Sequence, residues 1–160
     1  MSQVEVLFEY WKDIDWFVIG GPADCDEAQA VMSRCHCVGF EPNEIYCKYQ
    51  RDHGFGNVHN FALWNKDNVV LPFTCPVGAS LQSASVCRPR GAPDIKFDYT
   101  SSIGTVRGRT LDSLSDEFGP FKNAALWIDI EYAELAALQG ADQLLRNGDI
   151  KLINLETYAH

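Results

Sequence analysis

Short apolar runs alternate along this chain with segments whose apolar residues recur at helical spacing. The apolar runs cover residues 15–19, 35–40, 58–63, 124–128 and 150–155. Short apolar runs bounded by turn formers predict buried strands, and the run at 124–128 is apolar on both faces, as a central parallel strand is. Helical segments between such strands predict an α/β fold, in which a mostly parallel sheet carries helices on both faces.

Helices are predicted from polar residues that precede apolar residues at helical spacing. Residues 4–13 form a short amphipathic helix, and Asn147-Gly148 ends the last one. The residues expected at the starts of the other helices are Asp24, Asn43, Thr110 and Glu131. The apolar positions that recur along these helices are Ala28, Val31, Met32, Ile45, Tyr46, Tyr49, Leu135, Leu138, Ala141 and Leu145.

The middle of the chain has a different character. Residues 64–109 are rich in turn formers and are predicted to be a loop or hairpin insertion within a single domain of residues 1–160. Residues 69–73 are a candidate strand, which Pro72 restricts to the edge of a sheet. Long loops inserted into a compact domain are often binding loops or lids.

The charge of the chain excludes some classes of partner. Its formal net charge is −9 at pH 7. This negative charge disfavours non-specific binding to nucleic acid phosphates and binding to an anionic membrane surface. No apolar run approaches the length of about 20 residues that spans a bilayer. The first residues lack the basic start and apolar core of a signal peptide, so a cytoplasmic location is expected.

The six cysteines are expected to be buried, reduced thiols rather than metal ligands. The sequence contains no Cys-x-x-Cys pair, and Cys35 and Cys37 lie on one predicted strand with both side chains on one face. Cysteine often acts as a small buried hydrophobe. A disulfide or a reactive thiol remains an alternative for some of them.

Residues with candidate binding or catalytic roles follow three of the predicted strands. Gly20-Gly21 follows the first strand, where glycine permits a ligand to approach the backbone. Glu41 ends the second strand, 21 residues after Gly20, which is the placement of an acid that binds ribose hydroxyls. Asp129, with Glu131 and Glu134, follows the strand at 124–128 and faces the same crevice. The pattern predicts a nucleoside-bearing cofactor across the strand ends.

Each residue also has a structural interpretation. Gly20-Gly21 could form only a tight turn, and Glu41 could be a solvated strand terminus. Asp129 could cap the following helix, while Glu131 and Glu134 could serve its N-terminal dipole. Their order and spacing favour the shared site.

The chain also carries several short segments in a characteristic order. These are Phe40-Glu41-Pro42-Asn43, Asn57-Val58 leading to Ala62-Leu63, Thr110-Leu111-Asp112, Ile128-Asp129-Ile130-Glu131, Leu138 with Gly140-Ala141, and Ile153-Asn154-Leu155-Glu156. Their order resembles the FkbM-type methyltransferases over nearly the whole chain from about residue 16. The resemblance implies a Rossmann-like class I fold that binds S-adenosylmethionine and methylates a hydroxyl oxygen on a sugar or small natural product.

The resemblance also assigns site residues by position. Gly20 and Gly21 would flank the methionine part of the cofactor. Glu41, with Pro42 beside it, would bind the ribose. The adenine edge would meet Ala62 and Leu63, and a serine-containing loop would contribute Ser80.

The same resemblance places Asp129 on the methyl-transfer side of the cofactor. Asp129 is the first candidate for the group that removes a proton from the acceptor or orients it, and Glu131 is the second. Two other functions stay open. One is a degenerate relative that binds a ligand or partner without catalysis, and the other is a different nucleotide-using enzyme such as a dehydrogenase. Because the chain stops soon after residues 150–155, the closing antiparallel hairpin is expected to be missing, and the uncovered strand could support a homodimer.

Overall fold

The computed structural model describes Val4, Glu9 and residues 12–75, 79, 81–87 and 101–156. The predicted helix at residues 4–13 therefore lies mostly outside the described residues, and Ser80 lies outside them too. The strands are β1 (Trp16–Gly20), β2 (His36–Phe40), β3 (Val58–His59), β4 (Ala62–Leu63), β5 (Val69–Cys75), β6 (Ser101–Arg109), β7 (Ala124–Ile128) and β8 (Ile150–Leu155). The helices after β1 are α1 (Glu27–Val31), α2 (Glu44–Asp52), α3 (Leu111–Phe118), α4 (Glu134–Gln139) and α5 (Asp142–Arg146).

The main sheet has five parallel strands in the order β3-β2-β1-β7-β8. Gly20, the last residue of β1, pairs with Phe40 of β2 and with Ile128 of β7. The carboxyl ends of these three strands therefore lie side by side. Such a register delivers the residue that follows each strand to one edge of the sheet.

Helices cover both faces of this sheet, as predicted. Alternate strand residues point to opposite sides, so Val18 and Phe17 belong to different cores. Buried residues of α3, α4 and α5 pack on the face that includes Val18, and those of α1 and α2 pack on the other. The fold is Rossmann-like, which confirms the predicted class.

The apolar run at residues 58–63 was predicted as one strand, and this is wrong. His59 still pairs with β2, whereas Ala62 pairs with Gly108 of β6 in a second, three-stranded sheet of order β4-β6-β5. The Asn60 side chain donates hydrogen bonds to the carbonyls of Glu41 and Pro42, at 3.0 and 2.9 Å. These bonds fix the bend at which the chain leaves one sheet for the other.

The second sheet occupies much of the region predicted to be loops. β5 is an edge strand, as Pro72 indicated, and it pairs antiparallel with the nine-residue strand β6. Leu71, Phe73 and Val106 form part of a separate small core. The assignment of residues 1–160 to one domain with an insertion stays a prediction.

Two helix faces differ from the predicted ones. Asp24 does not cap α1: the helix starts at Glu27, Asp26 precedes it without a side-chain cap bond, and Asp24 instead accepts a hydrogen bond from Gln82. Met32, Ile45 and Tyr49 are exposed, whereas Cys47 and Gln50 are the buried residues of α2. Cysteine and glutamine give little hydrophobic periodicity, so the sequence pattern pointed to the wrong face.

The helix predicted to start at Glu131 begins at Glu134 and is interrupted at Gly140. Leu135 and Leu145, which belong to the apolar stripe predicted for one helix, are 69% and 37% exposed. A β-carbon at Gly140 would lie 2.1 Å from the carbonyl oxygen of Trp64, so the residue that follows β4 packs closely against the chain at this point. Asp112 then accepts hydrogen bonds from the backbone of Gln143 and Leu144.

The local caps agree with prediction in three places. The side chain of Asn43 accepts the N–H of Ile45 at 3.0 Å, and Thr110 accepts that of Ser113 at 3.1 Å. Gly148 ends α5 with a φ of +69°. Within the described residues β8 pairs only with β7, so it forms one edge of the sheet. A homodimer through this edge stays a prediction.

Candidate functional site

A cavity lies over the carboxyl ends of β1, β2 and β7. Its empty space is about 470 Å³, a volume that includes open solvent. The lining residues are Gly21, Ala23, Glu41, Pro42, Tyr46, Ala62, Leu63, Phe73, Leu81, Gln82, Ala84, Ser85, Val86, Asp129, Ile130, Glu131 and Ala133. Carboxylates and apolar side chains therefore share one cleft.

Glu41 is buried at the end of β2, with 4% of its surface exposed. Its Oε2 accepts the backbone N–H of Ala23 at 3.1 Å, and its Oε1 accepts that of Asn43 at 2.7 Å. The interpretation of Glu41 as a solvated strand terminus is therefore wrong. Each carboxylate oxygen keeps a second lone pair, which can accept a hydrogen bond from a ligand in the cavity.

Burial raises the pKa of Glu41 from its ordinary value of 4.5 to about 7, although the N–H groups of Asn43 and Ala23 lower it. Removal from water disfavours the charged form, and the two backbone donors offset only part of that cost. Glu41 is therefore poised to change its charge near neutral pH.

Gln50 holds the turn between β1 and α1 in place. This fully buried side chain reaches from α2, and its Nε2 contacts the carbonyl oxygens of Pro22, Ala23 and Cys25 at 3.2, 3.0 and 2.7 Å. Its Oε1 accepts a hydrogen bond from Gln29 at 3.1 Å. Because the turn donates the Ala23 N–H to Glu41, Gln50 also supports the geometry of that acid.

The two glycines of the turn have different environments. Gly21 lines the cavity with a φ of +74°, and a β-carbon there would lie 1.9 Å from the carbonyl oxygen of Asp129. Gly20 does not line the cavity: it is buried in the sheet, and its carbonyl accepts the N–H of Asp129 at 3.1 Å. The close approach that requires glycine here is therefore between β1 and the segment after β7.

Asp129 lies in a group of acids after β7. Burial, a hydrogen bond with Glu156 and the negative charges of Glu156, Glu131 and Glu134 together raise its pKa to about 8. Asp129 does not cap the next helix, because Ala133 precedes α4 without a side-chain cap bond. Glu134 lies in the first turn of α4, and its carboxylate accepts the N–H of Ile130 at 3.2 Å in the preceding turn.

The turn after Asp129 has an uncommon backbone. Glu131 and Tyr132 are consecutive residues with φ of +53° and +75°. Left-handed conformations cost non-glycine residues about 1–2 kcal/mol each, so surrounding contacts must hold this turn. Ser85 supplies one of them, because its hydroxyl donates to the carbonyl oxygen of Glu131.

Ser85 belongs to a loop that the sequence analysis did not assign. It exchanges backbone hydrogen bonds with Thr74 of β5 at 2.8 and 2.9 Å, and the N–H of Cys87 donates to its hydroxyl at 2.9 Å. The loop thus connects the second sheet to the acidic turn. Its signal in the sequence was the serine-rich stretch at residues 79–85, which does not single out Ser85.

Most of the predicted site residues lie around the same cavity. Those that line it are Gly21, Glu41, Pro42, Ala62, Leu63, Asp129 and Glu131. Gly20 is excluded from the wall, and Ser80 lies outside the described residues. Tyr46 and Phe73 also line the cavity and were missed, because as isolated aromatics they looked like core residues.

The described residues offer neither a metal cluster nor a membrane span. No three His, Cys, Asp or Glu side chains in this part of the chain come close enough together to hold a metal ion. Among the described helices, none is sufficiently long and apolar to cross a bilayer.

Sheet order, helices on both faces and a cleft over the strand ends together define a Rossmann-like methyltransferase fold. A family model described as the methyltransferase FkbM domain matches residues 21–160, well over half of the chain. The chain therefore belongs to the FkbM methyltransferase family, whose members generally use S-adenosylmethionine. No curated protein and no solved structure matches it.

Proposed function

We propose that this chain binds S-adenosylmethionine in the cavity and methylates a hydroxyl oxygen of a sugar or small natural product. The observation that carries the proposal is the presence of Glu41 and Asp129 in one cleft, at the ends of neighbouring strands. We assign Glu41 to the ribose of the cofactor and Asp129 to the reacting groups. We also propose that the protein acts in the cytoplasm.

The cavity fits a nucleoside ligand in its chemistry. Glu41 offers free lone pairs to two ribose hydroxyls, while Pro42, Ala62 and Leu63 supply an apolar wall for the adenine. Gly21, which has no side chain, exposes its backbone at the same wall of the cavity. Ser80 stays a predicted contributor from the loop before Leu81.

S-adenosylmethionine, when bound, supplies the methyl group for an in-line displacement. The chain has to hold the acceptor hydroxyl in line and accept its proton. Asp129 is the proposed proton acceptor, with Glu131 as the second candidate. At neutral pH Asp129 is largely protonated, since its pKa is about 8. A positive charge bound beside it would favour the carboxylate form and prepare it to accept a proton.

A non-catalytic binding protein is the second candidate function. Val18 stands at the place where the family resemblance expects an acid that helps to hold the amino acid end of the cofactor. This side chain is 1% exposed and packs in the core, so it offers no charge to the cavity. Such a protein would bind a ligand or a protein partner and would transfer no methyl group.

Calorimetric titration with S-adenosylmethionine and S-adenosylhomocysteine tests the proposal. We expect micromolar binding of both ligands, and its loss in Glu41→Ala. Glu44→Ala is the matched control, because Glu44 is an exposed acid three residues away in the first turn of α2. Binding that survives Glu41→Ala would refute the assigned ribose contact.

Two other outcomes separate the competing functions. No detectable binding at millimolar ligand would favour the non-catalytic candidate, while binding of NADH in place of the methyl donor would favour a dehydrogenase. Transfer of a radiolabelled methyl group to a panel of sugars and small natural products would then identify the acceptor. Methylation of a nitrogen or carbon atom would contradict the proposed chemistry.

A further inference from the structure

Two thiols lie together at the end of β2 opposite to the cavity. Cys35 immediately precedes the strand, and Cys37 is its second residue, whereas Glu41 follows its last residue. Residues two apart on an extended chain present their side chains on the same face. The two Sγ atoms are 4.0 Å apart. No part of the proposed methyl transfer uses them.

The two thiols differ in how easily solvent reaches them. Cys35 is half-buried beside a surface depression whose other residues include Asp15, Met32 and Arg34. Cys37 is buried against the core formed by β1, β2, α1 and α2. A small solute can therefore contact Cys35 first, and Cys37 stands directly behind it.

The surroundings of the two thiols shift their pKa values in opposite directions. The hydrogen bond with Cys37 lowers the pKa of Cys35, against the effect of burial, and the positive charge of Arg34 lowers it further. The same hydrogen bond and burial raise the pKa of Cys37. Cys35 is therefore the better nucleophile, and Cys37 keeps its proton until the second step.

We propose that Cys35 and Cys37 form a dithiol site at which a peroxide is reduced and an intramolecular disulfide is made. The Cys35 thiolate attacks one peroxide oxygen and breaks the O–O bond. The leaving oxygen takes a proton from solvent, so this step leaves a sulfenic acid and releases water from hydrogen peroxide, or an alcohol from an organic peroxide. The Cys37 sulfur then attacks the Cys35 sulfur, and the second oxygen leaves as water with the thiol proton. The two sulfurs supply the two electrons that the peroxide accepts.

The two sulfurs have to close from 4.0 Å to a bond length of about 2 Å. A disulfide also requires Cβ atoms about 3.5–4.5 Å apart, which is closer than two residues of a regular strand place them, so the backbone has to move. Cys35 can supply this movement because it lies in a bend before β2, outside the paired residues of the strand. The resulting disulfide should be strained and therefore readily reduced again by thiols.

The other cysteines provide an internal comparison. Cys25 is exposed, but burial of its thiol group and the charges of Glu27 and Asp24 raise its pKa to about 11. Burial and the negative charge of Glu41 likewise raise the pKa of Cys47 to about 11. An exposed thiol without an activating partner should react more slowly than Cys35.

Peptide mass spectrometry after brief treatment of the whole protein with hydrogen peroxide tests the proposal. Digestion with trypsin and a glutamate-specific protease isolates residues 35–44, which contain Cys35 and Cys37 but not Cys47. We expect this peptide to lose two hydrogen atoms and to regain them with dithiothreitol. Cys37→Ser should instead leave a Cys35 sulfenic acid that dimedone traps, and Cys35→Ser should abolish the cross-link. Cys25→Ser is the control and should oxidise like the parent protein.

A second measurement needs no oxidation. Phenylarsine oxide bridges neighbouring thiols, so the reduced protein should bind one equivalent, and Cys35→Ser should bind none while keeping its circular dichroism spectrum. The proposal is overturned if Cys25 or Cys87 is oxidised before Cys35. It is equally overturned if Cys35 proceeds to sulfinic acid without a cross-link to Cys37.

Discussion

The carboxylate of Glu41 accepts a hydrogen bond from the backbone N–H of Ala23 and thereby joins the end of β2 to the turn after β1. A second bond, from the N–H of Asn43, fixes the other carboxylate oxygen. The acid is therefore oriented before any ligand arrives. Its affinity for a ligand and its effect on stability both depend on its charge.

Protein stability should fall as pH rises through the titration of Glu41. Its pKa is raised from 4.5 to about 7 in the folded state, so the stabilising contribution is complete below pH 4.5 and is lost as pH passes 7. We expect roughly 1–3 kcal/mol less free energy of unfolding at pH 8 than at pH 5 from this group. Urea unfolding of the parent and Glu41→Gln at several pH values measures the difference: the fall in the free energy of unfolding should be smaller in the variant by this amount, while the contribution of Asp129 remains. Glu44→Gln should keep the parental pH dependence.

Ligand affinity should respond to pH in the opposite direction. Ionised Glu41 can accept hydrogen bonds from two ribose hydroxyls. When Glu41 is protonated, one of its oxygens becomes an O–H donor at a position where the ribose hydroxyl needs an acceptor. Hydrogen bonds to charged groups contribute about 1.5–3 kcal/mol, so S-adenosylhomocysteine should bind at least about tenfold more tightly at pH 8 than at pH 5.5. Calorimetry at the two pH values measures this ratio. A pH-independent Kd would contradict it.

Binding of S-adenosylmethionine should release protons near pH 7, and S-adenosylhomocysteine should release fewer. Asp129 is largely protonated at that pH, and a sulfonium beside it would lower its pKa. S-adenosylhomocysteine lacks this positive charge. Titrations in two buffers of different ionisation enthalpy give the number of protons released. Asp129→Asn should remove the difference between the ligands, and equal release by both ligands in the parent protein would contradict the assignment.

Replacement of Gln50 should destabilise the turn between β1 and α1. In Gln50→Leu the carbonyls of Pro22, Ala23 and Cys25 lose their common donor. The Pro22 carbonyl keeps the N–H of Cys25, and the bonds to the other two carbonyls are only partly buried, so we expect a loss of about 1 kcal/mol. The ligand site should weaken as well, because Ala23 supports Glu41. Urea unfolding and ligand titration measure the two effects. Gln143→Leu, at an exposed position of α5, should stay within about 0.5 kcal/mol of the parent.

Gly21 and Gly54 should differ sharply when each is changed to alanine. Both have positive φ, at +74° and +98°, but a β-carbon at Gly21 would lie 1.9 Å from a backbone oxygen, while nothing lies within 4 Å at Gly54. Gly54→Ala should therefore cost only the conformational strain of about 1–2 kcal/mol. Gly21→Ala should cost more, because the carbonyl of Asp129 has to move. Thermal unfolding of the two variants compares them, and equal losses would refute the close contact.

Helix caps and strand ends were predictable because they depend on near neighbours in the sequence. Asn43 and Thr110 bond to backbone groups two and three residues away. The apolar runs before Gly20, Glu41 and Asp129 became β1, β2 and β7, as predicted. A parallel sheet then had to bring their carboxyl ends to one edge.

Distant contacts decided the features that the sequence analysis missed. The run at residues 58–63 is divided because Ala62 pairs with Gly108, far along the chain. The helix after β7 is interrupted where Trp64 approaches Gly140 and where Asp112 caps the next segment. None of these distant partners produces a hydrophobic periodicity in the sequence around the residue that it contacts.

By itself the sequence determined the α/β order, the strand ends and the acids that follow them, because hydrophobic periodicity and turn chemistry act over a few residues. Only the tertiary structure decided that Gly20 packs inside the sheet while Gly21 lines the cavity. It also decided that Ser85 reaches the acidic turn and that Glu41 is buried enough to titrate near neutral pH. These properties arise from removal of water and from contacts between distant segments, and both exist only once the chain has folded.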